Sequence, residues 1–170
     1  MSTLIVYESM WGNTRTIAEA VAEGIGPGAQ VVHAADAPVP VPDDVDLLVV
    51  GGPTHAFSLT RASTRRDAVA KGAPAERTDA GVREWLGRLA SSDHVDVATF
   101  DTRVRSVRHL PGSAARAAGK EVRRHHLGRL VGTMSFYVDD MAGPLVPGEV
   151  ERAREWGEAL APRGDDGARD

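Results

Sequence analysis

Apolar residues change their spacing repeatedly along this chain. Residues 3–8 form a compact apolar run around Ile5 and Val6, the pattern of a strand covered on both faces. Over residues 16–25 the period becomes helical, with Ile17, Ala18, Val21, Ala22 and Ile25 on one face. Gly26-Pro27-Gly28 stops that helix, and residues 29–34, carrying Val31 and Val32, predict a short second strand. After a stiff connection with Pro38, Pro40 and Pro42, residues 47–52 give the strongest buried-strand signal in the chain. Two weaker helices are expected at 60–70 and 79–89, with an irregular piece over 71–77 between them. In the second of these Val82, Trp85, Leu86 and Leu89 share a face, which assigns Trp85 to the core. Residues 95–100 predict a fourth strand, and a long loop through Leu110-Pro111-Gly112 reaches Ser113, a good N-cap for a helix over 114–126. Residues 130–138 predict a fifth strand, 139–148 a Gly/Pro-containing loop, and 149–160 a final amphipathic helix. One domain is therefore expected over 1–161, followed by a disordered tail over 162–170.

Strands that alternate with helices imply a parallel sheet with helices on both faces and right-handed crossovers. In such sheets ligands gather beyond the carboxyl ends of the strands, where the winding reverses. Residues 9–14 lie at such a place, between the first strand and the first helix. A loop that opens a helix presents unpaired N–H groups and the positive end of the helix dipole, which suits a phosphate without a lysine. Gly12 allows close approach, and Ser9, Asn13 and Thr14 add polar side chains. An ordinary N-cap at Asn13 or Thr14 would use the same residues. GxGxxG is absent, which disfavours a dinucleotide fingerprint.

Ser9, Gly12 and Thr14 in this position resemble the phosphate loop of the flavodoxins, with Met10 and Trp11 as spacers and Trp11 replacing a family hydroxyl. Gly52-Pro53-Thr54-His55, with Phe57 beyond, is similar to the family's second flavin loop. Asp101-Thr102-Arg103 stands where the third begins, without the stacking Tyr or Trp often found there. The resemblance implies a flavodoxin-like three-layer sandwich, a five-stranded parallel sheet of order 2-1-3-4-5 and one FMN. It implies a phosphate at 9–14, ring contacts from Pro53, Thr54 and His55, and backbone contacts from Asp101, Thr102 and Arg103. Phe57 either packs on the ring or lies in the core. Arg103 either places a charge at the ring edge, points to solvent or pairs with Asp101. Electron transfer between a reductase and an acceptor is the function implied. An oxidoreductase of the protoporphyrinogen oxidase or quinone reductase type, using Arg61, Arg65 or Arg103 for an acidic substrate, is an alternative, as is a flavin-free interaction protein. Asp139 and Asp140 either line the mouth of the site or form a solvated turn.

Composition narrows the chemistry. Without cysteine the chain has no disulfide, thiolate metal site or thiol couple, so redox work must belong to a bound cofactor. No metal-ligand spacing surrounds the six histidines, and no catalytic set of side chains can be specified. A net charge of −4 argues against nucleic-acid binding, and no run is long enough for a membrane span, so a cytoplasmic protein, monomeric or weakly dimeric, is expected. Charge is unevenly spread: residues 103–129 are strongly basic, and Glu149, Glu151, Glu155 and Glu158 make the last helix acidic. The basic run is either a solvated helix face or a docking surface for an acidic partner or a phosphate.

Overall fold

Five parallel strands form the sheet, in the order β2-β1-β3-β4-β5: β1 Thr3–Tyr7, β2 Ala29–His33, β3 Leu47–Pro53, β4 Asp96–Val104 and β5 Arg129–Val138. The computed structural model describes residues 1–75, 77–92 and 94–161, so the expected tail at 162–170 lies outside the described residues. Helices α1 Asn13–Ile25, α2 Ala62–Ala70, α3 Val82–Leu86, α4 Ala114–Arg124 and α5 Glu149–Leu160 connect and cover the strands. Among the described residues no helix is long and apolar enough to cross a membrane.

Alternate residues of the central strands feed two separate cores, which is why β1 and β3 read as continuous apolar runs. Leu4, Val6, Leu48 and Val50 join Trp85, Ala118 and Val122 on the α3/α4 face. Ile5, Leu47 and Val49 join Ile17, Val21, Phe136 and Ala153 on the α1/α5 face. Trp85 is fully buried, as its helical face predicts, and its indole Nε1 donates to the Pro38 carbonyl at 3.1 Å. The helix expected over 79–89 is shorter, because Gly81 opens α3 and Gly87 closes it.

The sequence places the end of the fourth strand at Phe100, but β4 continues to Val104. Asp101 and Thr102 pair with Gly52 and Pro53 on one side, and all three residues pair with Ser135, Phe136 and Tyr137 on the other. Three consecutive polar residues look like a loop, yet all three are buried here. Their partners, described below, make that burial tolerable.

Helices α1 and α5 approach to backbone contact. A Cβ on Gly157 would strike the Val21 carbonyl, and one on Gly24 would strike that of Arg154. Gly157→Ala is therefore expected to lower unfolding stability by about 1–3 kcal/mol in urea titrations. Gly87→Ala, at a right-handed helical position where the nearest atom to an added Cβ is 3.5 Å away, should be neutral or slightly stabilising.

Candidate functional site

At the carboxyl end of the sheet, beside the β1/β3 reversal, a cleft opens to solvent. Ser9, Met10, Trp11, Asn13 and Thr14 line it from the β1–α1 loop and α1, and Pro53, Thr54 and His55 from the end of β3. Thr102, Arg103 and Val104 add the end of β4, while Val138 and Met141 close the far side. All three predicted segments therefore meet, and Met141 is a wall that sequence reasoning passed over. A methionine within a Gly/Pro loop after the fifth strand was the available signal.

Gly12 caps α1 with φ 91°, a left-handed conformation suited to glycine, and its N–H donates to Ser9 Oγ at 3.0 Å. No side chain caps the helix, and its first turn holds no acid. The N–H groups of Asn13, Thr14 and Arg15 consequently have no partner among the described residues. Asn13 is not the cap; its Nδ2 donates to the Ala142 carbonyl at 3.1 Å, drawing the β5–α5 loop over the start of α1. The Thr14 hydroxyl is buried against that of Thr102 at 2.7 Å, so it joins α1 to β4. The Trp11 ring, besides lining the cleft, packs with Met10, Ala68, Val69 and Ala73, which anchors the loop on α2.

The N-terminus of α4 is treated in the opposite way. Its N–H groups go to Thr54 Oγ1 from Ala114 (2.9 Å), Asp101 Oδ2 from Ala115 (2.9 Å) and the predicted N-cap, Ser113 Oγ, from Arg116 (3.3 Å). Asp101 is thus a buried cap, absent from the cleft lining. Burial pushes its carboxyl above the ordinary value, against the hydrogen bonds from Ser113, Ala115 and Ser135.

Arg103 is only 7% exposed and neither points to solvent nor pairs with Asp101. Its Nη2 donates to the carbonyls of Val107 (2.8 Å) and Leu110 (3.2 Å), holding the β4–α4 loop in shape, and its buried Nε has no partner among the described residues. Arg65, offered by the sequence as a substrate anchor, is also sequestered. It holds Glu84 at 2.9 Å and the Thr78 carbonyl at 2.9 Å, and its charge lies 3.9 Å from Glu8. Glu8, at the head of the β1–α1 loop, accepts from the Thr60 hydroxyl and from Val82 N (3.0 Å), and burial raises its carboxyl above the usual range. Asp139 pairs with Arg105 at 2.9 Å, and Asp140 Oδ1 accepts from Met141 N; neither lines the cleft.

The second segment ends in a tight turn. His55 and Ser58 exchange backbone hydrogen bonds, and Ala56 and Phe57 between them have φ of 48° and 61°, the two positive values of a type I′ turn. The turn carries Phe57 away from both the core and the cleft, leaving it 47% exposed. His55 stays in the cleft wall, and burial lowers its pKa.

Replacing Thr14 by Val leaves the buried Thr102 hydroxyl unpaired and should cost about 1–3 kcal/mol of stability. The Thr14→Val, Thr102→Val double variant should lose less than the sum of the two single losses, which a urea-unfolding cycle measures. Because folded His55 favours its neutral form, its contribution to stability is complete above the ordinary histidine value of 6.5 and is lost as pH falls below it. Thermal melts from pH 7.5 to 5 should thus show a smaller acid loss for His55→Gln.

Comparison with known proteins agrees with this geometry. The sequence model of the flavodoxin family matches residues 5–79, which carry the first two cleft segments. No curated protein sequence matches. Among solved structures, a flavodoxin from the domain Archaea superposes with TM-score 0.63 at 16% identity, covering 95% of this chain and 96% of its own. Flavodoxin 1 from Bacillus cereus gives 0.62 at 14% identity, over 92% and 95% of the two chains. A flavodoxin, WrbA-like protein from Agrobacterium tumefaciens gives 0.56 at 20%, over 94% of each. The 2-1-3-4-5 sheet and these superpositions give the chain a flavodoxin-like fold, and over residues 5–79 its sequence is similar to the flavodoxin family.

Proposed function

We propose that the protein binds one FMN noncovalently in this cleft and carries electrons between a reductase and an acceptor protein. The contrast between two helix N-termini carries the reading. The first-turn N–H groups of α4 are occupied by side chains, whereas those of α1 are left unpaired at the cleft beside a glycine turn, with no nearby acid in that turn. Such an end attracts a phosphate. Helix α5 also lacks a side-chain cap, but it opens with Glu149 and Glu151, which repel an anion.

The residues present fit the cofactor. The cleft is open on its solvent side, and Pro53, Thr54 and His55 supply a floor next to the anion site. Apart from His55, Trp11 is the only aromatic residue on the lining, so the ring would rest against Trp11 and Met141 without a sandwich of two plates. Bound there, FMN would supply one- and two-electron chemistry that no side chain of this cysteine-free chain offers. Arg103 contributes a fixed positive charge with an unpaired Nε, which favours the more negative state of a bound ligand. Neutral His55 can serve as a hydrogen-bond donor or acceptor at pH 7 without adding charge.

A second reading, an oxidoreductase acting on a small molecule, draws on one feature. Beside the cleft and sharing Thr54, His55, Val104 and Met141 with it, a hollow bounded by Thr64, Asp67 and Lys71 has room for a substrate. Arg61 lies outside both linings, and Arg65 is buried.

Titration of the apo-protein into FMN, followed by flavin fluorescence, should give binding at least tenfold tighter than riboflavin, about 1.4 kcal/mol for the phosphate. Equal binding, or none, removes the reading. Turnover of NAD(P)H with a soluble quinone, absent in an electron carrier, separates the two functions.

A further inference from the structure

The basic side of the molecule continues directly from the rim of the cleft. Six cations, Arg105, Arg108, Arg116, Lys120, Arg123 and Arg124, lie between residues 105 and 125, with Glu121 as the only acid, in a chain whose net charge is −4. All six are exposed; Arg105 pairs with Asp139 and Arg124 lies 3.8 Å from Glu121, which leaves Arg108, Arg116, Lys120 and Arg123 without an acidic partner among the described residues. At the cleft end of this face stand two large apolar side chains, Phe57 and Leu110, each 47% exposed. Phe57 projects from the turn that starts at His55, and Leu110 belongs to the loop that Arg103 holds by its carbonyl. Gly112 brings the loop and the turn together: a Cβ there would lie 2.7 Å from the Phe57 carbonyl. An open groove bounded by Phe57, Arg83, Pro111, Arg116 and Lys120 runs between them.

From these features the geometry points to a docking surface for an acidic redox protein, centred on Phe57 and Leu110 and ringed by Arg108, Arg116, Lys120 and Arg123. This inference rests on the proposed electron-carrier reading, and it adds the polarity of the partner. The cations do not converge on a point, as they would around a phosphate. They spread along α4, which at 11 residues is about 16 Å long, and suit several carboxylates on another surface. The exposed apolar centre suits a protein interface better than it suits a polyanion. The acidic Glu151 and Glu155 lie on α5, on the other face of the sheet, so the charge asymmetry would orient an approaching acidic partner toward the cleft rim.

The test uses the whole 15N-labelled protein, with and without FMN, titrated with two redox proteins of opposite charge, acidic cytochrome b5 and basic cytochrome c. Cytochrome b5 should shift the amides of Phe57, Leu110 and residues 114–124, at least tenfold more weakly at 0.5 M salt than at 0.05 M. The same residues should not respond to cytochrome c. Arg116→Glu with Lys120→Glu should weaken cytochrome b5 binding at least tenfold, while an unchanged amide spectrum elsewhere reports an intact fold. No shift, a shift on α1 or α5 instead, or an equal response to cytochrome c overturns the surface. Cytochrome b5 binding in a protein that takes up no FMN leaves the surface standing and defeats the flavin reading alone.

Discussion

Three buried polar side chains follow one another at the end of β4, and each must find a partner or carry the cost of lost hydration. Asp101 turns to the α4 face and caps that helix, Thr102 turns to the α1 face and meets Thr14, and Arg103 reaches the carbonyls of its own following loop. Because alternate residues of a strand face opposite ways, one short sequence stitches together both helical layers and the loop between them. The walls of the cleft are in that sense set by the partners that a single strand end finds, with Asp101 Oδ1 and Arg103 Nε left over without one among the described residues.

Apolar patterning made most of this fold legible. The double-sided strands at Leu4–Val6 and Leu47–Val50, the amphipathic α1 and α5, the core position of Trp85 and the N-cap at Ser113 all follow from local spacing and local chemistry. The end of β4 did not, because Asp-Thr-Arg reads as solvated until the partners on distant elements are known. Phe57 was misplaced for a related reason. Its position depends on a backbone turn with two positive φ values at Ala56 and Phe57, and neither residue type announces one. The cleft itself was readable where the chain supplies glycine and small polar residues after a strand. Met141, by contrast, arrives from a loop whose path is decided by Asn13, 128 positions away in sequence from Met141 but bonded to Ala142 beside it.

Electrostatics repeat the division between the two layers. On the α4 side the helix begins with all of its first amides occupied and carries cations outward, whereas α5 begins with carboxylates and pairs Glu149 with Arg152 at 2.6 Å. Helix α1, on the same side as α5, is left with its positive end open toward the cleft. A field of this kind is what the two proposed roles require: the local dipole of one helix for a small anion, and the charges of another for a larger surface.

The glycine contact between α1 and α5 bears on the cleft although it lies far from it. With Gly24 and Gly157 at backbone distance, α1 cannot slide along its axis without forcing α5 to move. The free amides at its front are therefore aimed before any ligand arrives, and they need not reorient when the charge in front of them changes. Small reorganisation energy is usually credited to the groups that touch a redox centre. Here part of it would be secured at the rear of the helix, by two residues that have no side chain at all.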